Sequence, residues 1–413
     1  MSQIDQQIKT IRAADVTLTV LNSDQTPLAN QEVEIAQRNH QFLFGCTGFD
    51  IIPLANDEVT GDEKTYYEDF NQKLLDLYNF ITLPFYWGRF EPERGQPDTR
   101  RIRNTAQWFK DRGCQVKGHP LCWHTVTADW LMDLSNAEII DAQIARIRRD
   151  VADFAGVIDM WDVINEVVIM PIFDKYDNGI TRIAQELGRF GITRMVFDAA
   201  RETNPQANLL LNDFDMSTAY EILIEGCLEA GIQIDTIGLQ SHMHQGYWGL
   251  EKTLRVLERF AKFGLPLHFT EVTLISGELI PPEIVDLNDH QVDEWPTTLT
   301  GEARQAEQVV EFYKTLMAHP QVEAITNWGL RDGGWLNAPS GYLRHDLSPK
   351  PAYEELMKLV KGEWWLAPTK MKTDDTGKIT FNGFLGDYTV AWANQQAAFT
   401  VDTNGTVATE VRL

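Results

Sequence analysis

Apolar and polar positions along this chain follow three successive rhythms. From Asp15 to Gln37 they alternate on both sides of a turn carrying Asn22, Ser23, Asp24 and Pro27, which predicts two strands joined as a β-hairpin. From residue 41 to residue 362 short apolar runs exchange with amphipathic stretches, the pattern of repeated strand–helix units. Beyond Gly362 alternation returns in KITFNGFLGDYTVAW, AAFTV and TVATEVRL, separated by the turns TDDTG and VDTNG, with no helical period.

The middle segment contains eight candidate strands, beginning near Gln41, Phe80, Gln115, Val157, Asn208, Ile234, Leu265 and Glu323. Helix-like segments such as NAEIIDAQIARIRRDVADF and GEARQAEQVVEFYKTLMAHP lie between them, several ending in Gly or Asn-Pro. Eight such units within roughly 320 residues predict an α/β fold, a (β/α)₈ TIM barrel, with a doubly wound open sheet as the alternative. The expected division is an N-terminal β-hairpin segment over 1–40, a catalytic barrel over 41–362 and a C-terminal β segment over 363–413. The two terminal segments would form one accessory β unit that braces the barrel, since a lone hairpin is marginal in water. A long connection from Leu274 to Thr300, with prolines and an acidic run, is expected to overhang the barrel mouth as a lid or rim loop.

Composition narrows the partners. Sixty Asp and Glu against 36 Lys and Arg give a net charge of −24, which repels phosphate backbones and anionic lipid, so neither nucleic acid nor membrane is an expected partner. Cys46, Cys114, Cys122 and Cys227 form no CxxC pair and are expected to be reduced core residues. The first residues lack the apolar core of a secretory signal, and no run of about 18 apolar residues occurs, so a cytoplasmic location is expected unless an export signal has been removed. Nothing in the pattern sets an oligomeric state.

Chemistry-bearing residues crowd the C-terminal ends of the predicted strands. His119, Trp123 and His124 close the third, Asn165 and Glu166 the fourth, Asn212 and Asp213 the fifth, Gln240 and His242 the sixth, Glu271 the seventh and Trp328 the eighth. In a parallel barrel those ends share one rim. A carboxylate ending a strand buried on both faces needs a partner, and Glu166 and Glu271 make a pair. Two facing carboxyl groups can cleave a glycosidic bond, one protonating the leaving oxygen while the other attacks the anomeric carbon or activates water, and this chemistry needs no metal or other cofactor. Asn165 could bond a sugar hydroxyl, and Trp123 and Trp328 could stack on pyranose faces.

At these residues the sequence resembles the glycoside hydrolase family 10 xylanases, from about Phe42 to Leu359, most specifically at KGHPLCWH, WDVINEV, LLLNDFD, IDTIGLQSH, LHFTEV, ITNWGLRD and SPKPAYEEL. The strands leading into FLFG also look like those of some members. The resemblance implies a retaining (β/α)₈ hydrolase of β-1,4-xylosidic bonds in xylan or xylo-oligosaccharides. By it, Glu166 is the general acid/base and Glu271 the nucleophile; His119, Trp123, Asn165, Gln240 and Trp328 hold the sugar; His242 hydrogen-bonds Glu271. Retention implies carboxyl groups about 5 to 5.5 Å apart.

Two departures stand out. Where members carry a Glu-Asn pair and a following Lys that bind glycone sugars, this chain has Thr82, Leu83 and Tyr86, which keeps another β-glycoside open: a gluco-oligosaccharide or a plant glycoside with a bulky aglycone. Two residues after Glu271, where an Asp usually orients the histidine, stands Thr273. The rival readings are a metal-dependent hydrolase using the His242–His244 pair with His119, His124 and Asp213, and a non-catalytic sugar-binding barrel.

Overall fold

The computed structural model describes residues 2–413. Eight parallel strands close into a barrel: β3 (Leu43–Thr47), β4 (Phe80–Pro84), β5 (Gln115–His119), β6 (Met160–Asn165), β7 (Asn208–Asp213), β8 (Thr236–Met243), β9 (Leu267–Leu274) and β10 (Val322–Asn327), with β10 returning to pair with β3. Closure excludes the open doubly wound sheet. Every strand is buried on both faces, lumen and helix layer, which is why the runs read as nearly continuous apolar sequence.

Glycine is required where a neighbour approaches a strand too closely for a side chain. A Cβ on Gly118 would lie 2.2 Å from the Trp161 indole, whose strand pairs with β5 at that residue. A Cβ on Gly238 would lie 2.3 Å from Asn212 Oδ1.

The helix Asn136–Phe154, started by a Ser135–Glu138 capping box, carries buried polar groups on its inner face. Its Arg146 donates to the carbonyls of Leu121 (2.6 Å), Pro120 (3.3 Å) and Phe85, and Gln143 adds a bond to Leu121 O at 3.0 Å. The guanidinium also pairs with Asp150 at 3.3 Å. These bonds satisfy the carbonyls of the turns after β4 and β5 and so set the rim that carries His119 and Trp123.

The terminal strands correct one expectation. β1 (Ala13–Leu21) and β2 (Glu32–His40) do not form a hairpin ladder. β1 lies between β12 (Lys378–Phe384) and β15 (Gly405–Arg412), while β2 lies between β11 (Thr369–Lys372) and β13 (Gly386–Trp392), with β14 (Gln395–Val401) at the edge. The cause is the shared alternation: each strand has one apolar face, and the two sheets bury those faces against each other in a core of Val16, Leu18, Val33, Ile35, Phe381, Tyr388 and Val401. The C-terminal strands supply the hydrogen-bonding edges that a two-strand hairpin lacks.

A second correction concerns the first residues. Gln3–Arg12 is a helix with a Ser2–Asp5 capping box, not a β segment. Arg12 ends it by donating to the carbonyls of Met317, His319 and Val322, and Gln7 reaches Ala318 O at 3.0 Å, so the helix seals the barrel floor where β10 begins. The β-sandwich braces the same end through Asn39, which donates to Gly113 O at 2.9 Å and accepts from Asn79 at 3.0 Å. Both additions lie opposite the strand ends that carry the candidate chemistry.

Among the described residues no helix is long and apolar enough to cross a membrane. All four cysteines are buried and unpaired, and burial pushes the Cys46, Cys114, Cys122 and Cys227 thiols up to about 12.

Candidate active site

Glu166 and Glu271 meet over the C-terminal end of the barrel through side-chain amides. Asn165 Nδ2 donates to Glu166 Oε1 (3.1 Å), and Gln240 Nε2 donates to the same oxygen (3.2 Å) and to Asn165 Oδ1 (3.1 Å). Asn212 Nδ2 donates both to Asn165 Oδ1 (2.7 Å) and to Glu271 Oε1 (3.0 Å). Its orientation is set by Thr270, whose hydroxyl donates to Asn212 Oδ1 at 2.6 Å. Two amides thus bridge the two carboxylates, and their carriers β6, β7 and β9 are locked by the ladder.

Glu166 has φ of +58°, a left-handed conformation rare for a residue other than glycine and held here by Glu166 N donating to Asn212 O at 2.9 Å. Trp123 Nε1 donates to Glu166 Oε2 at 2.8 Å. Trp123 thus acts on the carboxyl group through its N–H as well as offering a ring. Burial, then the neighbouring Glu271 charge, pushes Glu166 up to about 8, against the opposing effect of its donors. Its turn is clamped by Asp213, which accepts from Val168 N and Asp215 N, each at 3.0 Å; burial raises this carboxyl to about 7.

Glu271 Oε2 faces His242 Nε2 at 3.0 Å. The other ring nitrogen of His242 lies 3.4 Å from Thr273 Oγ1, a hydroxyl that also meets His244 Nδ1 at 3.2 Å and accepts from Met243 N at 3.2 Å. A hydroxyl therefore orients this histidine in place of a carboxylate. His244 is buried and held near 3 by that burial, so it is neutral. His124 is likewise held near 4 by burial, packed at 4.5 Å against Phe173. Among the described residues no three His, Cys, Asp or Glu side chains are arranged to hold a metal ion.

Aromatic rings enclose one half of the cleft. Trp328 meets His119 edge-on at 5.1 Å, Phe49 at 5.8 Å and His242 at 6.3 Å. Tyr86 touches Phe49 (6.1 Å), His119 (5.6 Å) and Trp123 (5.5 Å). Thr82 and Leu83 are fully buried and offer nothing to a ligand. Trp335, from the Gly-rich loop after β10, packs on His242 at 4.5 Å.

The other half is bounded by the connection after β9. Arg304 donates to its Ile275 and Gly277 carbonyls, Ile280 N donates to His244 O, and Gln245 donates to the carbonyls of Pro281 and Ile284. A small cluster of Ile275, Ile280, Trp295 and Ala338 gives it its own core. At its tip Asp286 and Asp289 pair with Lys175 of the connection after β6, at 2.6 and 2.8 Å, so the two loops join across the rim beyond β7 and β8.

Of the residues expected from sequence, His119, Trp123, Asn165, Glu166, Gln240, His242, Glu271 and Trp328 all come together here. Sequence reasoning placed Asn212 on the rim beside Asp213 but gave it no role; it missed Phe49 and Trp335, which lie in irregular segments without a periodic signal. Asp162, one step inside WDVINEV, was also passed over, and it fixes His119 by accepting from Nδ1 at 2.7 Å.

Gly238 provides a direct check on the amide bridge. Gly238→Ala forces Asn212 away from its two acceptors, so kcat is expected to fall at least about tenfold, with an overpacking cost of about 1–3 kcal/mol seen in denaturant unfolding. A folded variant with wild-type kcat would show that the bridge is dispensable.

A closed (β/α)₈ barrel with a carboxylate pair on its C-terminal rim is a glycoside hydrolase arrangement. Residues 63–359 match the model of glycosyl hydrolase family 10, and the chain belongs to that family. It is 22% identical over 402 residues to the anti-sigma-I factor RsgI6 of Acetivibrio thermocellus, covering 94% of this chain but 46% of that protein. It therefore spans about half the length of that relative. It is 25% identical over 299 residues to endo-1,4-beta-xylanase A of Xylanibacter ruminicola, covering 65% of this chain and 79% of the relative. The fold superposes on native xylanase 10B from Thermotoga maritima with a TM-score of 0.62 at 22% identity, over 78% of this chain and 95% of that one. The carboxylate pair therefore stands on the barrel of a glycosyl hydrolase family.

Proposed function

We propose that the enzyme cleaves β-1,4-xylosidic bonds in xylan or xylo-oligosaccharides by double displacement, with Glu271 as nucleophile and Glu166 as acid/base. The observation that carries this reading is the amide bridge from Glu166 through Asn165 and Asn212 to Glu271.

In the first step a Glu271 oxygen attacks the anomeric carbon while Glu166 gives its proton to the departing glycosidic oxygen. Asn212 and His242 each hold one oxygen of the Glu271 carboxylate and so fix its orientation. In the second step Glu166 takes a proton from water, which attacks the glycosyl ester and frees Glu271. The two causes of the Glu166 shift explain how one group can do both. Burial and the Glu271 charge keep it protonated before attack. Esterification removes the Glu271 charge, so the Glu166 acidity rises and it becomes a base.

Short oligosaccharides suit the site better than a long polymer, because the joined loops at Lys175 limit the rim beyond β7 and β8. A second reading, a β-glycoside other than a xyloside, is favoured by the aromatic Phe49–Tyr86 wall and the buried Thr82 and Leu83. Product analysis on xylo-oligosaccharides beside gluco-oligosaccharides and aryl β-glycosides separates the two. Release of short xylosides with retained anomeric configuration is expected; cleavage of glucosides alone would overturn the xyloside assignment.

A further inference from the structure

Beneath the sugar site, β5 and β6 carry an ion pair inside the barrel. Lys117 and Asp162 are both fully buried, with Lys117 Nζ 2.7 Å from Asp162 Oδ2. The same oxygen meets His119 Nδ1 at 2.7 Å. Lys117 and His119 are two residues apart on one strand, so both point into the lumen toward a common partner. Lys117 does not reach the cleft and takes no part in the two displacement steps. A buried ammonium is costly, so its placement on the carboxylate that holds His119 calls for a reason.

We propose that Lys117 is a positioning residue: its charge satisfies Asp162, so that His119 serves that carboxylate as a neutral Nδ1–H donor and presents an uncharged Nε2 to the glycone. This rests on the assignment of His119 to the sugar site. If Lys117 is removed, Asp162 has only His119 as a counter-charge and draws a proton onto it. The resulting imidazolium would face a transition state that builds positive charge on the sugar ring.

The other groups facing this cluster do not supply the missing charge. From the turn after β4, Tyr86 presents a phenol ring edge-on to His119. From β9, His268 is buried and kept neutral by that burial, and Glu271 lies across the cleft as Glu166 does from the end of β6. Behind Asp162, Tyr220 uses its hydroxyl on the Leu211 and Gly238 carbonyls. The residue presented by the end of β10 is the uncharged Trp328. Lys117 is therefore the cation that balances Asp162.

The test follows His119 itself by imidazole ¹⁵N NMR, assigned by difference from His119→Gln, in wild type, Lys117→Met and the charge-balanced Lys117→Met/Asp162→Asn. In Lys117→Met the His119 titration is expected to move up by at least one pH unit, and kcat/KM to fall about tenfold or more at pH 6 with a smaller loss at pH 8. In the double variant the neutral ring and the acid side of the wild-type pH profile should return. An unchanged His119 titration, with loss uniform across pH, would reduce Lys117 to a structural ion and overturn the proposal. If Lys117→Met does not fold, Asp162→Asn alone decides: a downward His119 shift supports the relay and no shift overturns it. The NMR arm does not depend on which glutamates are catalytic, so it stands apart from the fate of the Glu166 and Glu271 assignments.

Discussion

Glu271→Ala is expected to lower kcat on xylo-oligosaccharides by at least about 10⁴-fold, because loss of a covalent nucleophile removes the lower-energy two-step route altogether. The residue is 4% exposed and bonded at both carboxylate oxygens, by Asn212 and by His242, so it is fixed against the cleft rather than free to be replaced by a neighbour. Shortening it to a methyl leaves room for a small anion. Azide added to the variant on an activated aryl β-glycoside should restore turnover and give a glycosyl azide of inverted configuration, since one displacement now replaces two. Substantial hydrolysis without azide, or an azide product of retained configuration, would assign the nucleophile elsewhere. The variant should keep the unfolding midpoint close to wild type, because one buried charge is removed along with its partners' claim on it.

Glu166→Gln separates proton transfer from binding, since the amide keeps the size of the carboxyl group. Loss of general acid catalysis is expected to cost about 10²–10⁴-fold on substrates with poor leaving groups, and far less on aryl glycosides whose phenolate leaves unaided. The pH profile provides the sharper signature. The wild-type acid must be protonated before attack, and burial with the Glu271 charge raises it to about 8. The alkaline limb of the profile is therefore expected to fall as pH rises through that value. Glu166→Gln should erase this alkaline limb. If the limb persists in the variant, another group is the titrating acid; if poor and good leaving groups lose activity equally, Glu166 is not the proton donor.

Much of this site was visible in the chain because a barrel strand leaves little choice. A run such as LLLND or VIN is apolar where it is enclosed by lumen and helices, and the polar residues that follow can only lie at the open end. Glu166, Glu271, Gln240 and His242 were legible for that reason. Phe49 and Trp335 were not, and Tyr86 was visible only as a departure at the glycone positions, because each sits in an irregular connection where direction depends on the loop's tertiary anchors. Lys117 and Asp162 were hidden for a different reason: an ion pair within a barrel lumen leaves single charges in two strands separated by a helix in the chain, and only the lateral pairing of β5 with β6 brings them to 2.7 Å.

The termini show the same division. Alternation correctly marked β1 and β2 as strands with one apolar face, yet alternation does not say which edge a strand will pair through. The C-terminal strands took those edges, so the expected hairpin became two facing sheets. By itself, the sequence determined the eight strand–helix units, the crowding of polar residues at one rim and the two glutamates at strand ends, because burial on both faces dictates composition residue by residue. Only the tertiary structure decided that two amides bridge those glutamates, that a hydroxyl orients His242, that an aromatic wall replaces polar contacts at Tyr86 and that a hidden lysine balances the charge beneath His119. Each of these depends on distances between residues far apart in the chain, which are set by barrel closure and the packing of loops.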